Sequence, residues 1–156
     1  MALKTDIRGM SHTYPDHFEV GREKIREYAK AVKAVDPASL DDEAAAELGH
    51  DSVVAPLTFS SIFALLVQQD FFRHVDVGLE SMQIVQVDQR FVYHKPVRAG
   101  DKLWARVDIH SVEERFGADI VVTRNVCTDV DGELVMEAYT TLMGQQGEHS
   151  ARIEWS

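Results

Sequence analysis

The stretch from Ala55 to Phe72 constrains this chain most. Its apolar residues fall at Leu57, Phe59, Ile62, Phe63, Leu65, Leu66, Val67, Phe71 and Phe72. Wound as a helix, that set is apolar almost all round, which predicts burial on most sides. Pro56 sits where such a helix can begin, because a missing N–H costs nothing in the first turn. Ser60, Ser61, Gln68, Gln69 and Asp70 interrupt the run, and it falls short of the about 20 mostly apolar residues that a bilayer requires. The chain after Ser81 reads as strand almost throughout. A buried helix followed by long strands predicts an α+β fold in which a sheet wraps round the helix.

The rest of the composition narrows the class. A chain of 156 residues fits one domain, read here as 1–156 with a core at about 12–144, and can bury a proper core. A formal charge of −10 argues against general nucleic-acid binding. Cys127 is the one cysteine, so no intrachain disulfide can form, and a reducing cytoplasmic location is expected. Met1 to Met10 carries charges without an apolar core, so it is not read as a secretory signal. No membrane insertion is expected.

Taken in order, His12 to Val20 reads as a short strand broken by Pro15. Arg22 to Val35 reads as a helix with Ile25, Tyr28, Ala29 and Val32 inward, ended by Asp36-Pro37. Leu40 to Leu48 reads as a second, short helix, capped by Ser39 or Asp41 and closed at Gly49. The acids Asp41, Asp42 and Glu43 suit its N-terminus and point apart round the helix, so they are not read as a metal site. Met82 to His94 alternates, with Val85, Val87, Phe91 and Tyr93 on one face and Gln86, Asp88 and Arg90 on the other. Leu103 to Ser111 places Leu103, Ala105, Val107 and Ile109 inward. Ala118 to Asp129 and Glu133 to Gly144 are two further strands, joined through Asp131-Gly132, a hairpin signal. Gly147 to Ser156 reads as a polar tail.

One run carries a resemblance. Phe91 to Leu103 reads Phe-Val-Tyr-His-Lys-Pro-Val-Arg-Ala-Gly-Asp-Lys-Leu and resembles the Pro-Val-x-x-Gly-Asp-x-Leu turn of MaoC-like hotdog domains. Physically, Pro96 ends a strand, Gly100-Asp101 makes the tight turn and Leu103 re-enters the core. Ala55-Pro-Leu-Thr-Phe, Asp70-Phe-Phe-Arg-His, Gln83-Ile-Val-Gln-Val-Asp-Gln and Tyr139-Thr-Thr-Leu-Met-Gly are similar to the mycobacterial HadA/HadC subunit family, the last part most like HadC. The resemblance implies a hotdog fold and a subunit of a (3R)-hydroxyacyl-ACP dehydratase, a lyase of the type-II fatty acid synthase that elongates mycolic acid precursors. It also implies two partners. One is a HadB-like catalytic hotdog subunit, and the other is an acyl carrier protein bearing a long-chain 3-hydroxyacyl group.

Dehydrating a β-hydroxyacyl thioester needs a base for the α-proton and an acid for the leaving hydroxyl. Catalytic members of the family resemble one another in an Asp-x-Asn-Pro-x-His-x-Asp stretch. The corresponding run here is Ala34 to Asp41, with Ala34 at the Asp position and Ser39 at the His position. Neither can take an α-proton near neutral pH. Asp36 could substitute, but it reads first as a turn residue that ends a helix. The later His-Gly of the family is replaced by Ala55-Pro56, and Pro56 has no N–H to offer. The chain is therefore expected to hold the acyl chain while its partner supplies the Asp/His pair. Ala55, Pro56, Leu57, Thr58, Phe59, Ser60, Ser61, Phe63, Ala64 and Val67 on the helix, with Val85 and Gln86 on the following strand, are the expected substrate-binding residues.

Each of these residues has a plainer reading. Phe59, Phe63, Phe71 and Phe72 either line an acyl tunnel or simply pack the core. Gln86 meets the tunnel or a partner subunit, or joins Asp88 and Gln89 on a solvated face. Arg90, Lys95, Arg98, Lys102 and Arg106 form either a docking patch for an acidic carrier protein or a solvated strand-and-turn face. Cys127 reads as a small buried hydrophobe. The seven histidines show no ligand spacing along the chain, so neither a metal nor a cofactor is expected, and His50 reads as a solvated loop residue. Two other functions compete. One is a self-sufficient homodimeric hydratase or thioesterase. Hotdog thioesterases resemble one another in an acid on the central helix, and here Asp70 lies at its far end. The other is a non-enzymatic acyl-binding protein.

Overall fold

The structure is a computed structural model that describes residues 3–79 and 82–146. The polar tail read at 147–156 lies outside the described residues. Two short strands, β1 (Ser11–Thr13) and β2 (Phe18–Glu19), precede helix α1 (Arg22–Ala31). A 3-10 turn (Pro37–Ser39) and helix α2 (Asp42–Glu47) follow. A second 3-10 turn (Leu57–Phe59) leads into the long helix α3 (Ser60–His74). Four long strands complete the chain: β3 (Met82–Tyr93), β4 (Lys102–Arg115), β5 (Ala118–Thr128) and β6 (Leu134–Gln146).

The sheet is antiparallel and open, in the order β1-β4-β5-β6-β3, with β2 also paired to β4. Helix α3 packs over β4 and β5. Phe59, Phe63, Ala64, Val67 and Phe71 face down into a core shared with Leu103, Ala105, Val107, Ile109 and Val121. The alternation read for β4 is thus the one observed. At the turn before β4, Gly100 takes a φ of 91°, a conformation that glycine adopts without strain. Asp101 accepts the Arg98 N–H at 2.8 Å, and the turn is tied to Val20 by two backbone bonds.

Four details differ from the sequence reading. Helix α1 stops at Ala31 instead of Val35. Lys33 adopts a left-handed φ of 56°, and the Ala34 N–H returns to the Ala29 carbonyl at 2.8 Å. That is a Schellman closure, with lysine in the place glycine usually takes. Helix α2 starts at Asp42, because Asp41 caps it by accepting the Ala44 N–H at 3.1 Å, while Ser39 belongs to the preceding turn. Helix α3 is buried or half-buried round most of its surface, but one stripe through Leu65, Gln69 and Arg73 stays open. Leu65 is 50% exposed there, and Leu57, in the turn before the helix, is 69% exposed, because the sheet packs on the other side.

The fourth difference is the facing of β3. Its pairing with β6 shifts register between Gln86 and Asp88. A bulge adds one residue and so reverses the side-chain parity. Gln86, opposite Leu142, therefore faces α3 together with Gln89, Phe91 and Tyr93, while Val85 lies on the opposite face, across from exposed Met143. The single-face assignment of Val85, Val87, Phe91 and Tyr93 is corrected accordingly. Strand β3 also ends the sheet, and Ile84, Val85 and Val87 are all about half exposed there.

Candidate functional site

The chain enters α3 through Val54, Ala55 and Pro56, held to the turn before β4 by the Ala55 N–H, which donates to the Val97 carbonyl at 2.8 Å. Between this entry and the end of β3 lies a cleft of about 300 Å³. Ala55, Pro56, Leu57 and Ser60 form one wall, and Tyr93 and Pro96 the other. The Tyr93 hydroxyl donates to the Leu57 carbonyl, and its pKa is pushed up by burial and then by nearby Tyr28. Tyr28 in turn donates to the Thr58 hydroxyl at 2.7 Å. His94 and Lys95 also reach the cleft, but both are engaged outside it. His94 Nε2 lies 3.1 Å from Glu137, and Lys95 donates to Asp129 at 2.8 Å and to Glu133. The Asp129 and Glu133 carboxylates hold the Lys95 ammonium well above its ordinary value. Among the described residues, no Asp or Glu lines this cleft.

Both dyad positions carry structural roles, and Ser39 is bonded to this entry. Ala34 offers a methyl group and uses its backbone N–H to close α1. Ser39 is buried, and its hydroxyl donates to the Val54 carbonyl at 2.6 Å. Asp36 accepts the Ala38 N–H at 3.0 Å and so caps the 3-10 turn. Neither dyad position thus carries a histidine or a carboxylate.

A second opening follows the exposed flank of α3 along β3. One part, of about 260 Å³, lies between Ser61, Ile62 and Leu65 on the helix and Gln86, Gln89 and Thr140 on the sheet. Gln68 borders it and also borders the next part, of about 380 Å³, which runs to Phe72, Ile84 and Leu142. Polar side chains pair beneath the seam. Thr123 donates to Gln68 at 3.2 Å, and Gln89 donates to Thr140 at 3.3 Å. Asn125 is buried nearby in β5 with no partner for its amide among the described residues.

Of the expected binding residues, the structure brings Ala55, Pro56, Leu57 and Ser60 together at the first cleft, and Ser61 and Gln86 at the second. Phe59, Phe63, Ala64 and Val67 sit in the core, under the helix. Thr58 is exposed beside Tyr28, and Val85 stands on the far face of β3. In the basic run, Lys95 and Arg106 are ion-paired, Arg106 with Asp108 at 2.9 Å, and Arg90 lies 4.2 Å from the centre of the Tyr139 ring. Cys127 is buried, which pushes its thiol up to about 12 and keeps it protonated. Sequence reasoning missed Tyr93 and Gln89 as cleft residues. Parity along β3 would have found Gln89 only with the bulge in hand. It also missed a cluster of His12, Asp70 and His74, in which His12 is far from the other two in the chain.

A long helix lying in an open, curved antiparallel sheet, with its entry facing the end of β3, defines a hotdog domain of the MaoC-like dehydratase class. The chain belongs to the FAS1-like dehydratase domain region family, whose model matches residues 8–138. It is 75% identical over 155 residues to a UPF0336 protein of Mycobacterium tuberculosis, covering 99% of this chain and 93% of that one. Among solved structures it matches a chain of the C-terminally truncated HadBC (3R-hydroxyacyl-ACP dehydratase) complex from Mycobacterium tuberculosis. The identity is 73% and the TM-score 0.86, with 91% of this chain and 100% of that one covered. It also matches a MaoC-like dehydratase at 37% identity and a TM-score of 0.84, over 91% of this chain and 43% of that one. No helix among the described residues is long and apolar enough to cross a membrane.

Proposed function

We propose that this chain, as one hotdog domain, is the non-catalytic, acyl-holding subunit of a cytoplasmic (3R)-hydroxyacyl-ACP dehydratase of mycolic acid elongation. Its partner is a second hotdog chain that supplies the Asp/His pair. The observation that carries the reading is the state of the two dyad positions. Ala34 has no functional group, and the Ser39 hydroxyl is spent on the Val54 carbonyl. The likeness to a chain of the HadBC complex at 73% identity supports the dehydratase assignment. The free edge of β3 supports the pairing, because an unpaired strand edge bearing Ile84, Val85 and Val87 is a liability unless another strand covers it. The two openings flanking α3 support the acyl-holding role, because each sets apolar helix residues against the sheet.

The test is turnover of a trans-2-enoyl thioester by the purified chain, alone and with a HadB-like partner. The chain alone is expected to be inactive, and the complex active. Adding lysines at the edge, Val85→Lys with Val87→Lys, is expected to abolish the complex in sedimentation and its activity together. Turnover by the chain alone that vanishes on Asp36→Asn or His50→Ala overturns the reading.

A further inference from the structure

The end of α3 away from the cleft carries a group of side chains that the dehydratase reading does not use. Asp70 and His74 stand one turn apart on the helix, and His12 comes to them from β1. His12 Nε2 lies 2.7 Å from Asp70 Oδ2, and His74 Nδ1 lies 3.9 Å from Asp70 Oδ1. The imidazole rings are 4.9 Å apart at a tilt of 33°. One ligand atom from each residue falls within 4.8 Å of the others. His12 and Asp70 are largely shielded, at 20% and 15% exposure, whereas His74 is 61% exposed. Phe71 flanks His12 with ring centres 6.3 Å apart.

We infer that His12, Asp70 and His74 form a binding site for one divalent transition-metal ion of the zinc, cobalt or nickel type. Two imidazoles and one carboxylate are a donor set that suits such ions. Ligand atoms held at about 2.1 Å from one ion stand about 3.0 Å apart in octahedral and about 3.4 Å apart in tetrahedral geometry, so the 2.7 Å pair opens by a few tenths of an ångström and the 3.9 Å pair closes by a side-chain rotation of His74. The i, i+4 placement of Asp70 and His74 keeps both on one helix face. In the metal-free chain His74 Nδ1 rests 2.8 Å from the Asp70 backbone carbonyl, a bond that the rotation exchanges for the ion. The open side at His74 leaves room for water to complete the coordination. An ion there ties the β1 strand to the C-terminal end of the central helix, so it adds to stability as well as binding.

The inference is independent of the dehydratase reading and is tested without an activity assay. The tag-free, metal-stripped full chain is titrated with Co²⁺ and followed by its visible d–d absorption, then with Zn²⁺ in competition. One ion per chain is expected, with thermal unfolding moved upward. His74→Ala changes an exposed residue and leaves the fold intact, and it is expected to weaken binding at least about tenfold. His12→Gln is expected to do the same. His17→Ala is the control, since His17 makes a similar carboxylate contact with Asp16 at 3.1 Å elsewhere on the surface, and it is expected to change nothing. X-ray absorption of the zinc-loaded chain is expected to show two imidazole ligands. Equal binding by wild type and His74→Ala, or fewer than two imidazoles on the bound ion, overturns the inference.

Discussion

The Ser39 hydroxyl donates to the Val54 carbonyl at 2.6 Å and so locks the 3-10 turn before α2 onto the entry of α3. Val54 returns the contact, its N–H donating to the Ala38 carbonyl at 2.9 Å. The residue at the position of a catalytic histidine thus holds the wall of the cleft. Ser39→Ala leaves a carbonyl short of a partner in a buried setting and is expected to destabilise the fold by about 1 kcal/mol. The urea unfolding midpoint reads this directly. Turnover by the intact complex is expected to stay as in wild type. A fall in kcat with stability unchanged assigns Ser39 a part in the chemistry instead.

Glu137 on β6 gives a pH prediction. Arg124 donates to it at 2.9 Å through Nε, and His94 meets its other oxygen at 3.1 Å. The Arg124 guanidinium first, and His94 second, hold the Glu137 carboxyl below its ordinary value of 4.5. A carboxyl whose pKa is lowered on folding contributes stability above its unfolded pKa, and that contribution is lost as pH falls through the folded value. Wild type is therefore expected to be more stable than Glu137→Gln at pH 7, with the gap closing below about pH 4. Paired urea titrations across pH 3–7 check it, and a gap that does not narrow between pH 5 and pH 3 counts against the ion pair as its source.

The parts of the fold legible in sequence are those set by neighbours in the chain. The apolar run of α3, the strict alternation of β4 and the Gly100-Asp101 turn are local patterns, and each is observed. The facing of Val85 and Gln86 was not legible, because a one-residue shift against β6 is decided by pairing between strands and leaves no mark in the alternation itself. The early end of α1 was hidden for a related reason. A lysine, Lys33, takes the left-handed position where glycine is the usual signal. Leu57 and Leu65 read as buried because an apolar helix seeks cover. A single chain places a sheet on only one side of it. At the site, residue types at the dyad positions could be read from the sequence, but the Ser39–Val54 bond joins segments that the sequence separates. The His12–Asp70 contact joins β1 to α3 and has no spacing to betray it.

The last prediction concerns where the acyl tail runs. Ser61 is half-buried and borders the opening of about 260 Å³ between α3 and Gln86, Gln89 and Thr140. Its small side chain leaves space that an indole would fill, and because it stands on the open flank of the helix the substitution does not overpack the core, as Ala64→Trp would in a residue 3% exposed. If a long tail lies along this seam, Ser61→Trp removes part of its apolar burial, about 0.8 kcal/mol per CH₂ group. The partner's acid and base are left as they were. In the intact complex, kcat/KM is therefore expected to fall far more for long-chain enoyl thioesters than for four-carbon ones. Equal loss for both lengths means that pairing or folding has been damaged, which sedimentation of the complex detects. No loss for either length, with the complex intact, rules this seam out as the path of the tail.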